Sequence, residues 1–182
     1  MQIKNIINKI LVFLFANVLI LLHLSWRIIF HQPVSLFNII MAVFLWLIVL
    51  NPRQLYMSIV LYTLIVCELF YTSPFGVESF AQIFALLLTN WLLLNVFTNR
   101  SLVIVFFTSL ITMIVYRIIF VILLYLNSVI QNSTTSISSQ YFSIFLNEAL
   151  ITAITLSLIY LVSSLFVKRL RPEYILETSR ML

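Results

Sequence analysis

The chain has 182 residues, 63% of them hydrophobic and 8% charged, with a net charge of +5. A soluble domain carries about a quarter charged residues, so this composition excludes an ordinary water-soluble globule and implies an all-α, polytopic membrane protein in a single domain. The basic balance does not point to nucleic acid, because the charges lie at the ends of apolar runs, where the positive-inside bias places them.

The N-terminus opens with Lys4 and Lys9 and an apolar run to about Phe30. It resembles a signal peptide but has no small-residue cleavage site, so it reads as the first membrane helix. Four prolines then mark corners of the chain, since proline lacks an amide donor and disfavours a helical residue before it. Pro33, Pro52, Pro74 and Pro172 follow the first, second, third and last apolar runs. The pattern predicts six transmembrane helices at about 8–30, 35–50, 55–71, 79–97, 101–126 and 141–167, with a tail over 168–182. The second and third runs are short for a span, but the "NPRQ" stretch at 51–54 separates them.

"TSPFGVESF", 72–80, holds the only glycine. Ser73-Pro74-Phe75-Gly76 fits a reversal with Pro74 at the second position, of type II or, with Gly76 fourth, type I. Ser79 then reads as the N-cap of helix four. The segment 127–141 reads as the largest external loop, and its Asn132-Ser133-Thr134 fits a glycosylation sequon.

Orientation follows from the basic residues. With the N-terminus in the cytoplasm, Lys4, Lys9, Arg53, Arg100, Lys168, Arg169, Arg171 and Arg180 share the cytoplasmic side. Arg27 alone faces the other side and Arg117 lies within a helix, so both termini are expected in the cytoplasm. The tail's Lys168, Arg169 and Arg171 read as an anchor to anionic lipid headgroups, or as part of a docking peptide with Tyr174, Ile175, Leu176 and Leu182.

Ionisable groups inside a span cost energy and call for an account. Arg117 is expected about 14 Å from the external end of helix five, and Glu148 about 10 Å into helix six from the same side. Those depths allow the two to pair. Glu68, Arg27 and His23 fall near the same level, with Arg27 also able to snorkel. Three roles are open for this group: internal pairing, an outward cavity for a ligand, or contact with another membrane protein. Glu148, Thr152 and Thr155 share one stripe of helix six. Thr108, Ser109, Thr112 and Tyr116 share a face of helix five with Arg117 at its margin. Ala81, Ala85 and Thr89 form a small-residue ridge on helix four, suited to close helix approach.

Recognisable chemistry is sparse. There is no Asp, and the five carboxylates are Glu68, Glu78, Glu148, Glu173 and Glu177, on separate elements or in the tail. Aspartate-dependent metal and phosphate sites and glycine-rich phosphate loops are thereby excluded. His23 and His31 stand without a nearby third ligand, so no metal or cofactor is expected and no catalytic residue is assigned. Cys67, the lone cysteine, allows no intramolecular disulfide and reads as a small buried apolar residue.

The six-span layout, the "SPFG" turn at Ser73–Gly76 and the "FTNRS" joint at Phe97–Ser101 resemble the MreD family of the bacterial rod-shape and wall-elongation machinery. The scarcity of glycine and the absence of Asp depart from that family's pattern. The resemblance implies a non-catalytic inner-membrane scaffold that partners an MreC-like membrane protein and, through it, MreB filaments and the wall polymerase–transpeptidase pair. The family is similar in fold to substrate-binding subunits of energy-coupling-factor vitamin transporters. In that alternative, Arg27, Glu68, Arg117 and Glu148 would border a small-molecule site. Such subunits dock through small residues in helix one, where this chain has Ala16 but no small-xxx-small pair. A lipid-modifying enzyme, the third class, lacks a recognisable constellation.

Overall fold

A computed structural model describes residues 2–31, 37–50, 57–97, 101–131 and 139–166. Six helices make up these residues: α1 (Gln2–Ile29), α2 (Ile39–Leu50), α3 (Met57–Glu68), α4 (Val77–Asn95), α5 (Leu102–Ile130) and α6 (Ser139–Phe166). Four of them are long and apolar enough to cross a membrane, over Ile10–Ile29, Val77–Asn95, Leu102–Ile130 and Phe142–Leu165. The chain is a membrane-embedded helical protein. The helices α2 and α3 have 12 residues each, about 18 Å of rise against a hydrocarbon core of about 30 Å.

Burial departs from the pattern of a soluble protein on the outer surface and in the polar content of the interior. Leu21, Phe84, Ile118 and Leu158 are exposed on the outer surface, while His23, Gln82, Thr112 and Glu148 are buried. That is the arrangement expected where the solvent is lipid, since polar side chains then find partners only inside the bundle. Helix α2 is apolar all round and accordingly lies inside, with Ile40, Met41, Phe44 and Leu45 at or near zero exposure. It packs against α1, α4 and α6, while α5 packs extensively between α4 and α6, and α3 bridges α1 and α4. Two hydrogen bonds tie the layers: Trp46 Nε1 donates to Ser163 Oγ at 3.1 Å, and Tyr62 Oη to Asn17 Oδ1 at 3.1 Å.

Several helix ends differ from the sequence expectation, each for a local reason. Helix α2 begins at Ile39 because Asn38 caps it, its Oδ1 accepting from Met41 N–H at 3.1 Å. Helix α3 stops at Glu68, and the apolar residues to Tyr71 turn more tightly through Leu69→Val66, Phe70→Cys67 and Tyr71→Glu68 backbone bonds. Helix α5 starts after its N-cap Ser101, whose side chain accepts from Ile104 N–H, and continues through Ile130 into the segment read as loop. Within this extension the Ser128 hydroxyl donates to the Tyr125 carbonyl at 2.7 Å, and the Gln131 N–H closes the end on the Asn127 carbonyl. Helix α6 correspondingly begins two residues earlier than expected, at Ser139.

The glycine turn is shifted by one residue. Val77 N–H donates to the Pro74 carbonyl at 3.2 Å, so the turn is Pro74–Val77 and Pro74 occupies its first position, not its second. Gly76, at φ 92° and ψ −22°, takes the third position of a type II turn and is the residue preceding α4. Ser79 is therefore not the N-cap but the third residue of α4, and its hydroxyl donates to the Leu64 carbonyl at 3.0 Å. The "NPRQ" stretch, Pro33, the sequon, Arg100 and the tail with Lys168, Arg169, Arg171 and Pro172 lie outside the described residues.

Candidate functional site

The charged side chains of the interior gather where α1 ends, α3 turns into α4, and α5 and α6 run past. Arg117, near the middle of α5, donates through Nε at 2.8 Å and through Nη2 to the same oxygen, Oε2, of Glu148 on α6. Glu148 Oε1 has no hydrogen-bond partner among the described residues. The Arg117 guanidinium also lies 4.8 Å from the Tyr116 ring centre and 5.4 Å from that of Phe120. Two aromatic faces and one carboxylate thus hold this cation in an apolar bundle.

Among the described residues Glu68 makes no ion pair with either arginine. Its Oε1 accepts from Glu78 N–H at 3.0 Å and its Oε2 from Ser79 N–H at 2.8 Å. The carboxylate at the end of α3 therefore supplies the N-terminal cap that Gly76 cannot give α4, and its negative charge faces the positive end of that helix's dipole. Glu78 lines one pocket with both Arg27 and Arg117. Its Oε1 accepts from Tyr116 Oη and, at 3.5 Å, from Gln82 Nε2. The sequence places Glu78 at the rim of the turn, but its link to Tyr116 spans two helices and leaves no periodic trace.

His23 and Arg27 meet the site through Tyr71. The Tyr71 hydroxyl is 3.0 Å from His23 Nε2, and the Arg27 guanidinium carbon lies 5.0 Å from the Tyr71 ring centre. Burial pushes the Tyr71 phenol above its ordinary range against the opposing pull of Arg27, so it stays a neutral hydrogen-bonding group. Arg27 itself is exposed and, among the described residues, makes no ion pair.

An open pocket of about 270 Å³ lies between these groups, with Arg27, Tyr71, Glu78, Arg117 and Phe120 on its walls and Phe70, Thr72 and Ser73 at the turn. Farther along α4 and α5, Ala81 and Ala85 are fully buried, and the Thr89 hydroxyl meets that of Thr112 between the two helices. On α6 Glu148, Thr152 and Leu156 are buried, as are Ala149, Ala153 and Tyr160, with Thr155 half-buried and bonded to the Ile151 carbonyl. Among the described residues no three His, Cys, Asp or Glu side chains converge as metal ligands.

Fold and site together define a helical membrane protein with a charged, aromatic-lined pocket at one end of its bundle. Comparison with protein-family models, with curated proteins and with solved structures gives no match to this chain.

Proposed function

We propose that this chain is a non-catalytic scaffold subunit of the bacterial inner membrane, of the MreD type, which binds an MreC-like single-span protein within the wall-elongation machinery. The observation that carries this reading is the employment of the three described carboxylates. Glu68 caps α4, Glu78 is held by Tyr116 and Gln82, and Glu148 neutralises Arg117. Groups committed to joining helices are suited to a rigid binding body rather than to proton transfer. Six crossings with both termini cytoplasmic belong to this reading. The shared side of the termini holds even if α2 and α3 do not cross, because removing that pair leaves an even number.

The pocket favours the second reading, a ligand-binding subunit of a vitamin transporter. Its volume of about 270 Å³ falls below the range of about 300–1,000 Å³ usual for sites that enclose an organic ligand. Ala16, the small residue of α1 that such docking would use, is 1% exposed and already packed inside the bundle. The scaffold reading is therefore preferred. It is tested by purifying the tagged chain from its own membranes. Co-purification of a single-span, coiled-coil wall protein, with rounding of rod-shaped cells on depletion, is the expected result. Recovery with ATPase subunits and a retained small molecule would replace it with the transporter reading.

A further inference from the structure

We propose that the pocket between the end of α1, the Pro74–Val77 turn and α5 is a binding site for the headgroup of a phospholipid that carries a primary amine. Two charges on its wall lack an ion-pair partner among the described residues, and they have opposite sign. Among the described residues Arg27 makes no ion pair, and its guanidinium lies over the Tyr71 ring on the pocket wall. Glu78 has one oxygen fixed by Tyr116 and Gln82 and makes no ion pair among the described residues, the Nε and Nη2 of Arg117 being directed to Glu148. Ser73 adds a buried hydroxyl with no hydrogen-bond partner among the described residues. A cation, a hydroxyl and an anion lining one pocket complement a zwitterion: phosphate toward Arg27 and Ser73, ammonium toward Glu78.

The placement favours a lipid as the source. Arg27 lies in the last turn of the apolar stretch Ile10–Ile29, whose 20 residues rise about 30 Å, the thickness of the hydrocarbon core. Glu78 lies in the first turn of the stretch Val77–Asn95. Both charges therefore stand at the level where phospholipid phosphates lie. A pocket of about 270 Å³ admits a phosphate with a two-carbon amine but not acyl chains. Those would remain in the bilayer against the exposed Ile28 and Phe80. This inference does not depend on the scaffold reading, and its test uses no wall protein.

The full chain, purified in detergent, is unfolded by heat with phosphatidylethanolamine, phosphatidylcholine or phosphatidylglycerol added, and separately with soluble phosphoethanolamine or inorganic phosphate. Phosphatidylethanolamine is expected to raise the midpoint by about 3 °C or more. Phosphatidylcholine, whose quaternary ammonium donates no hydrogen bond, should give less than half that shift, as should phosphatidylglycerol. Arg27→Gln, at an exposed position, should abolish the response to phosphatidylethanolamine. Glu78→Gln, which keeps an oxygen for Tyr116, should reduce it to the phosphatidylcholine level. Equal shifts for all three lipids, or an undiminished shift in Arg27→Gln, would overturn the proposal. A full response to inorganic phosphate would make the pocket a bare anion site, and a full response to phosphoethanolamine at equal concentration would make its ligand a soluble zwitterion. Either outcome overturns the lipid assignment.

Discussion

The carboxylate of Glu68 and the backbone of Ser79 close the corner between α3 and α4: Oε2 accepts the Ser79 N–H at 2.8 Å while Oε1 takes that of Glu78. The first turn of any helix leaves its N–H groups unsatisfied, and Gly76 before α4 has no side chain to offer. Glu68 is 3% exposed, so water does not readily replace it. Glu68→Ala is expected to destabilise the protein by about 2–3 kcal/mol, with Glu68→Gln losing less because it keeps one acceptor. Unfolding in mixed detergent micelles measures this, and a loss under about 0.5 kcal/mol for the alanine variant would remove the carboxylate from the cap.

Gly76 makes a separate contribution to the same corner. Its φ of 92° is left-handed, and a Cβ added there meets no heavy atom within 4 Å. The cost of a side chain is then purely conformational. Gly76→Ala should cost about 1–2 kcal/mol and Gly76→Asn about half of that, because asparagine tolerates this region better. Equal stability of all three proteins in the same unfolding assay would show that the turn relaxes to another geometry.

The long helices are legible in the sequence because uninterrupted apolar length is itself the signature of a membrane span. Their ends are less so. Asn127, Ser128 and Gln131 have loop composition, yet α5 runs through Ile130 and ends with the Gln131 N–H on the Asn127 carbonyl. Intramembrane Arg117 and Glu148 announce themselves by the cost of charge in lipid. The capping role of Glu68 leaves no such trace, since its partners are backbone amides ten and eleven residues away. The pairing of Glu78 with Tyr116 is equally silent, because helix periodicity reports the face a residue occupies but not which face lies opposite. The pocket depends on that second kind of information.

Helix α4 separates packing from lipid exposure at adjacent positions. Ala85 is 0% exposed and Phe84 is 49% exposed. A larger side chain at the first site has no room, whereas the second faces the surrounding lipid. Ala85→Leu is expected to cost about 1–3 kcal/mol through overpacking. Phe84→Leu should stay within about 0.5 kcal/mol of the parent protein. If both variants unfold alike, the α4 face assigned to the interior is wrong.

Arg117 and Glu148 offer the most direct test of how this bundle tolerates charge. The side chain of Glu148 is 2% exposed and that of Arg117 20%, so removing either partner strands the other in a poorly solvated setting. Arg117→Ala alone should therefore destabilise by about 3–5 kcal/mol, most of it the penalty of an unpaired buried carboxylate. Adding Glu148→Gln removes that charge and should recover part of the loss, giving a coupling of about 1–3 kcal/mol in a double-mutant cycle. Recovery of this kind distinguishes an ion pair from two independent packing residues, which would show additive losses within about 0.5 kcal/mol. Because Tyr116 and Phe120 also hold the Arg117 guanidinium, Arg117→Lys should recover only part of the stability: lysine keeps the charge but loses the planar fork and the stacking.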